Sequence, residues 1–406
     1  MTTEPTPPAA DTARSDNRAL YVLLAVVFVN IAGFGVIIPL LPFYAKSFGA
    51  PDWQVFVLFS CYSVGNFFAE PLWGRLSDRI GRRPVLIITI FGNALTYVML
   101  AFAPNLWVAC LIRLTGGVLT GNISTIQGYL ADVTPPDRRA GRLGLMGAAF
   151  SLGFMTGPSI GGLLAREDLG TVGFRPPLYF AACLALAAGI GITLFVRETR
   201  HAHKDAPRRG RFEGLGEAAA HPVIWRTLCV TLISMAGFAG MEATFGLWAH
   251  AKFDWGPREI GFCFFAIAIT AALAQGLLTG VLARHIGETR TMMIGLSLIM
   301  LGFAIQPLVQ HWQLAVLGMI TVALGQSLAF PNIGAIISRS VSSERQGEMM
   351  GLNTAAGALA RIIGPLMAAP LFAGFGPSAP FAVAAGLCVP ALFMAWRVSR
   401  VMKDRA

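Results

Sequence analysis

Twelve apolar stretches, each near the 20 residues that an α-helix needs to cross a bilayer, leave this 406-residue chain few ways to fold. They lie near 19–43, 55–76, 84–103, 106–130, 142–165, 175–196, 227–250, 259–281, 289–308, 312–336, 350–373 and 378–398. Backbone groups in lipid must satisfy one another, and a helix does this within one segment, so twelve transmembrane helices are predicted. Hydrophobic residues make up 55% of the chain and charged residues 13%, too little charge to cover a soluble protein of this length. Only the fourth, seventh and eleventh stretches hold a charge well inside.

The formal net charge of +10 raises the question of nucleic acid, and the distribution of the charge answers it. Of the 31 Lys and Arg, 24 fall on the side of the predicted spans that holds both termini. Five (Lys46, Arg166, Arg175, Lys252, Arg258) fall on the other side, and two (Arg113, Arg361) lie inside spans. This is the positive-inside bias, which predicts a multi-pass inner (plasma) membrane protein with both termini cytoplasmic. It argues against a nucleic-acid partner. The six cysteines all fall within spans, without metal-ligand spacing, and read as small packing residues.

The chain is duplicated. Gly74-Arg-Leu-Ser-Asp78-Arg79-Ile-Gly81-Arg82-Arg83-Pro84 returns 206 residues later as Gly280-Val-Leu-Ala-Arg284-His285-Ile-Gly287, without the acid and most of the bases. Gly144–Pro158 returns as Gly351–Pro365, an offset of 207. Six spans per copy make the copies parallel repeats, and such halves enclose a site near mid-membrane. The predicted order is a disordered tail (1–18), a six-helix bundle (19–196), a basic linker (197–226), a second bundle (227–400) and a short tail (401–406). The linker reads as a solvated segment obeying the charge rule, or as one drawn to anionic lipid.

Four patterns carry the chemistry. In the loop Gly74–Pro84, glycines permit a tight turn, and Asp78 among Arg79, Arg82 and Arg83 is placed to cap a helix or pair across the halves. In the fourth span, Arg113, Gly117, Gly121, Ser124 and Gly128 share one helical stripe. A charge there costs about 2.5–3.5 kcal/mol or more, so Arg113 must face a cavity or a partner. In the fifth span, Gly153, Gly157 and Gly161 form a groove followed by Gly162, and Pro158 bends the helix. A smooth, bent helix suits an interface on which two bundles rock. The fourth pattern, Gly33-Phe34-Gly35 through Pro39 and Pro42, closes the first span.

Together these patterns resemble the major facilitator superfamily, and within it the twelve-span drug:proton antiporter branch that includes the tetracycline exporters. The resemblance covers the chain after the tail. It implies proton-driven export of a small, amphiphilic, drug-like molecule by alternating access, with Arg113 tied to proton coupling and Asp78 and Arg79 to stabilising one conformation. The resemblance also makes Gly144–Gly162 the pattern of an antiporter. Asn30 stands near the place where tetracycline exporters carry an acid, and it cannot titrate.

A coupling carboxylate is therefore sought elsewhere, and Glu242 in the seventh span is the strongest candidate. It lies roughly 22 Å from the cytoplasmic end at 1.5 Å per residue. Its helical neighbours Phe238, Ala239, Phe245 and Gly246 offer no polar partner. The alternatives are a carboxylate at the external mouth or one paired to a neighbouring helix. Glu70, beside Pro71, either anchors the Gly74 loop through an arginine or titrates. Arg361, where the first half has Phe154, orients a substrate, balances an acid, pairs with Glu242 or serves structure. Asn30, Phe34, Gln127, Phe245, Asn353 and Arg361 are candidates for the substrate cavity.

The expected partners are a small-molecule substrate, protons and the lipid bilayer, with no cofactor, no metal and a monomeric state. An enzyme is not indicated, since H-E-x-x-H and G-x-x-x-x-G-K-[ST] are absent. A proton-coupled importer or facilitator of a metabolite or siderophore is the alternative.

Overall fold

In a computed structural model, residues 9–134, 136–199 and 213–403 are described. Among them there are helices and no strands. The spans are α1 (Leu20–Lys46), α2 (Asp52–Ile80), α3 (Arg82–Ala101), α4 (Leu106–Leu130), α5 (Pro136–Leu164) and α6 (Arg175–Phe195). The second set is α7 (Ile224–Phe253), α8 (Pro257–Ile286), α9 (Glu288–Leu308), α10 (Trp312–Arg339), α11 (Ser343–Phe375) and α12 (Ala379–Lys403). Eleven helices have the length and composition to cross a bilayer, and α5, apolar over Leu152–Leu164, packs among them.

Three expectations about boundaries are corrected. The helix that becomes α1 begins at Ala9, inside the tail read as disordered, because the good helix formers Ala9, Ala10, Ala13 and Arg14 extend an already nucleated span. Part of the expected linker, Glu213–Ala220, is helical and packs against α7 and α11, with Glu217 paired to Arg345. Arg208, Arg209 and the other basic residues of 200–212 lie outside the described residues. The fourth span is broken at Gly121–Asn122 rather than continuous. Asn122 fills the break, accepting from Asn30 Nδ2 at 3.2 Å and donating to Thr89 Oγ1 at 3.0 Å.

The packing repeats as the sequence does. α1 lies on α5 and α6, α2 on α4, and α3 on α6; α7 lies on α11 and α12, α8 on α10, and α9 on α12. Glycines set the closest approaches. A Cβ at Gly153, Gly157 or Gly161 would strike the α1 backbone at Phe28, Ala32 and Val36. One at Gly364, the counterpart of Gly157, would strike α7 at Ala236 and Gly240. The groove on α5 thus holds α1 within its own half. This corrects the expectation that it is the sliding surface between the halves. Gly162, on another face of α5, meets Pro257 and Gly261 of α8 across the halves.

The repeated loops keep one geometry. Gly81 has φ 109° and Gly287 φ 87°, which glycine alone adopts readily, and each N–H closes on the carbonyl four residues earlier at 3.1 Å. Beside each loop an ion pair joins the start of one span to the end of the next, with the charges exchanged. Arg82 meets Asp132 at 3.3 Å in the first half, and Glu288 meets Arg339 at 3.1 Å in the second.

Contacts across the halves gather at the face away from the chain ends. Phe56 meets Phe372 at 5.8 Å, Phe43 meets the His250 ring at 5.7 Å, and Gly246 sits against Pro42. At the opposite face, the loop 74–84 bonds within its own half. Arg82 pairs with Asp78 at 2.5 Å, and Glu198 accepts from the backbone N–H of Arg82 and Arg83.

The glycine contacts lead to a test. Gly364→Leu should abolish recovery of monodisperse protein from detergent, because overpacking against backbone costs about 1–3 kcal/mol or more. Gly351→Leu, on the same helix where a Cβ meets nothing within 4 Å, should be recovered normally. Equal recovery of both variants would contradict the packing described.

Candidate substrate and proton site

Two glycines bring α2 and α4 together. A Cβ at Gly65 would strike Leu114, and one at Gly117 would strike Tyr62 and Asn66. That approach buries Arg113 to 4% exposure and lays its guanidinium over the Tyr62 ring, 4.6 Å from the centroid. The stripe continues as the sequence suggested, with Gly121 against Glu70, Ser124 Oγ donating to the Glu70 carbonyl at 3.3 Å, and Gly128 against the Arg82 guanidinium.

Across from Arg113 stands Glu242 on α7, 8% exposed, with no hydrogen-bond partner for Oε1. Arg361 on α11 completes the group. The three charges share one small pocket with Phe34, Phe59, Ser63, Ala239 and Pro365. α1, α2, α4, α7 and α11 each contribute, so the pocket lies between the two halves. Among the described residues no ion pair joins Glu242 to either arginine, although all three line the same pocket.

A carboxylate facing two guanidinium groups at a distance is held, but it is not locked as a hydrogen-bonded pair would be. Protonating Glu242 changes the net charge of the pocket from one positive to two. That change is large in a site where Arg113 and Glu242 are both buried.

The structure does not place every candidate at this pocket. Phe34 lines it and packs on Tyr62 with ring centroids 4.9 Å apart. Asn30 is buried and bonded to Asn122 at the break in α4. Asn353 accepts from Thr231 Oγ1 at 2.7 Å, which joins α11 to α7. Phe245 is fully buried among Trp248 and Phe264 in the second half, a core residue instead of a cavity wall. Gln127 is exposed and outside the pocket lining. Glu70 makes no ion pair with a loop arginine among the described residues. Asp78 pairs with Arg82 in its own loop, and Arg79 is exposed.

Sequence reasoning missed Phe59, Ser63 and Pro365, which line the pocket, and Tyr62, which lies under the Arg113 guanidinium. Tyr62 lies three residues before Gly65 on α2, and Gly117, one turn from Arg113 on α4, packs against its backbone. Among the described residues no cluster of three or more His, Cys, Asp or Glu side chains is arranged to hold a metal.

The Arg113–Tyr62 stack yields a second test. Tyr62→Leu should lower the apparent melting temperature in detergent, through loss of a desolvated cation–π contact worth about 0.5–2 kcal/mol. Tyr62→Phe, which keeps the ring, should not. Equal losses in the two variants would assign the effect to the hydroxyl.

Known proteins agree with this architecture. The family model described as Major Facilitator Superfamily matches residues 23–256 and again 228–405, one match for most of each half. The tetracycline resistance protein, class E, of Escherichia coli is 30% identical over 369 residues, covering 88% of each chain. The quinolone resistance protein NorA of Staphylococcus aureus is 27% identical over 366 residues, covering 88% of this chain and 90% of its own. The crystal structure of the human organic anion transporter MFSD10 (TETRAN) superposes with a TM-score of 0.71 at 26% identity, over 96% of this chain and all of that one. Duplicated bundles, paired loops and a charged pocket between the halves thus come together in a membrane transporter, and the chain belongs to the major facilitator superfamily.

Proposed function

We propose that the protein exports small amphiphilic molecules in exchange for protons, with Glu242 as the group that exchanges them. The observation that carries this reading is a buried carboxylate with an unpartnered oxygen, set in the pocket between the halves with two arginines. An acid at that depth resists charge unless something cationic approaches, so a proton and a cationic substrate group compete for it. Such competition makes the exchange obligatory. Each pH unit across the membrane then supplies about 1.4 kcal/mol per proton, enough for a tenfold substrate gradient.

Alternating access supplies the path. The halves meet at the face away from the chain ends, through Phe56–Phe372 and the Gly162–Gly261 contact. With both termini cytoplasmic, as the distribution of Lys and Arg indicates, the pocket is closed to the outside in this state. The loop at Gly74–Pro84, bonded within its own half here, is free to engage the second half when the cytoplasmic side closes. Relatives named for tetracycline and quinolone resistance support export of drug-like molecules over uptake of a metabolite or siderophore.

In proteoliposomes loaded with a fluorescent quinolone, Glu242→Gln should abolish uphill transport driven by a pH gradient while quinolone counterflow continues. Uphill transport retained by the variant would remove Glu242 from the role.

A further inference from the structure

The pocket contains a second free valence besides the Glu242 oxygen. Arg361 enters none of the ion pairs among the described residues, and Arg113, stacked on the Tyr62 ring, keeps a buried Nε without a partner. A half-buried guanidinium and a buried carboxylate left apart each lose solvation, and a ligand that satisfies both recovers part of that loss. Glu242 and Arg361 flank the point where α7 and α11 come closest, since a Cβ at Gly240 would lie 3.1 Å from the Gly364 carbonyl oxygen. Glu242 is two residues from Gly240 and Arg361 three from Gly364. Their charged groups therefore lie within about two helical turns of one another, on the order of 10 Å. Phe34 and Phe59 supply apolar walls beside them.

We propose that the preferred substrate is a zwitterionic aromatic amphiphile, whose anionic group pairs with Arg361 while its ammonium group takes the place of the proton on Glu242. A purely cationic ligand would meet two guanidinium groups with only one carboxylate to offset them. A purely anionic one would face Glu242, and would enter only with a proton already bound there, which couples proton and substrate in the same direction. The zwitterion satisfies both groups and keeps the exchange. The inference rests on the reading of Glu242 as the proton site. It makes Arg361 a specificity-determining residue that leaves the proton step to its neighbour.

Equilibrium binding to the full-length protein in nanodiscs tests this with three matched probes: a piperazinyl quinolone carboxylic acid, its decarboxylated analogue, and its N-acetylpiperazine analogue. Wild type should bind the zwitterion at least about tenfold more tightly than either single-charge analogue, as expected when one buried charge is left unpaired. Arg361→Gln should erase the advantage of the zwitterion over the decarboxylated probe, and Arg361→Lys, which keeps the charge, should restore part of it. Equal wild-type affinity for zwitterion and decarboxylated probe would overturn the proposal. So would binding of none of the three, a parallel loss of all three in Arg361→Gln, or a Lys variant indistinguishable from Gln. Uphill transport of the quinolone separates the two readings. If it fails while the Arg361-dependent preference holds, the exchange falls and the substrate class stands; uphill transport without the preference gives the reverse.

Discussion

Hydrocarbon offers no water to a charge, so every ionisable group in the membrane needs a partner, a cavity or a reason to change state. Arg113, Glu242 and Arg361 meet that constraint together. Arg113 is stacked on the Tyr62 ring with its Nε unpartnered, Glu242 has an unpartnered Oε1, and Arg361 lines the same pocket. They are contributed by α4 in the first half and by α7 and α11 in the second. In the proposed exchange, a motion that parts the halves changes the field at Glu242 and so links its protonation to conformation without a separate device.

Backbone contact keeps the site in place. α1 and α5 approach closely at Gly153, Gly157 and Gly161, and α7 and α11 do so at Gly240 and Gly364. These seams join helices within each half, whereas aromatic contacts at the far face join one half to the other. The duplication is visible even where the residues differ. Arg82–Asp132 and Glu288–Arg339 occupy matched places with their charges exchanged. A clamp between two helix ends needs opposite charges and is indifferent to which helix bears which sign, so both copies keep the clamp.

Most of the architecture was legible because a bilayer imposes length and apolarity on every span. The spacing of Gly81 and Gly287 announced two identical turns, and both have positive φ. Arg113 and Glu242 stood out because a charge in a span demands explanation. What the sequence withheld was which neighbour each residue meets. A glycine stripe reports that something comes close, and not whether it is α1 of the same half or α8 of the other. The break in α4 was hidden because Gly121 also fits an unbroken helix, and only Asn30 and Thr89 from other spans fill the gap through Asn122. Phe245 and Asn353 read as cavity residues since helical periodicity gives a face, while packing decides what that face touches.

The central claim is that substrate and proton exclude one another at Glu242. Proton release on binding measures this directly, in weakly buffered solution with a pH indicator and purified protein, at a pH where Glu242 is protonated in the empty protein. The account predicts about one proton released per zwitterionic quinolone bound by wild type, and none by Glu242→Gln at saturating ligand. Binding to wild type without proton release, or equal release from the variant, would contradict it.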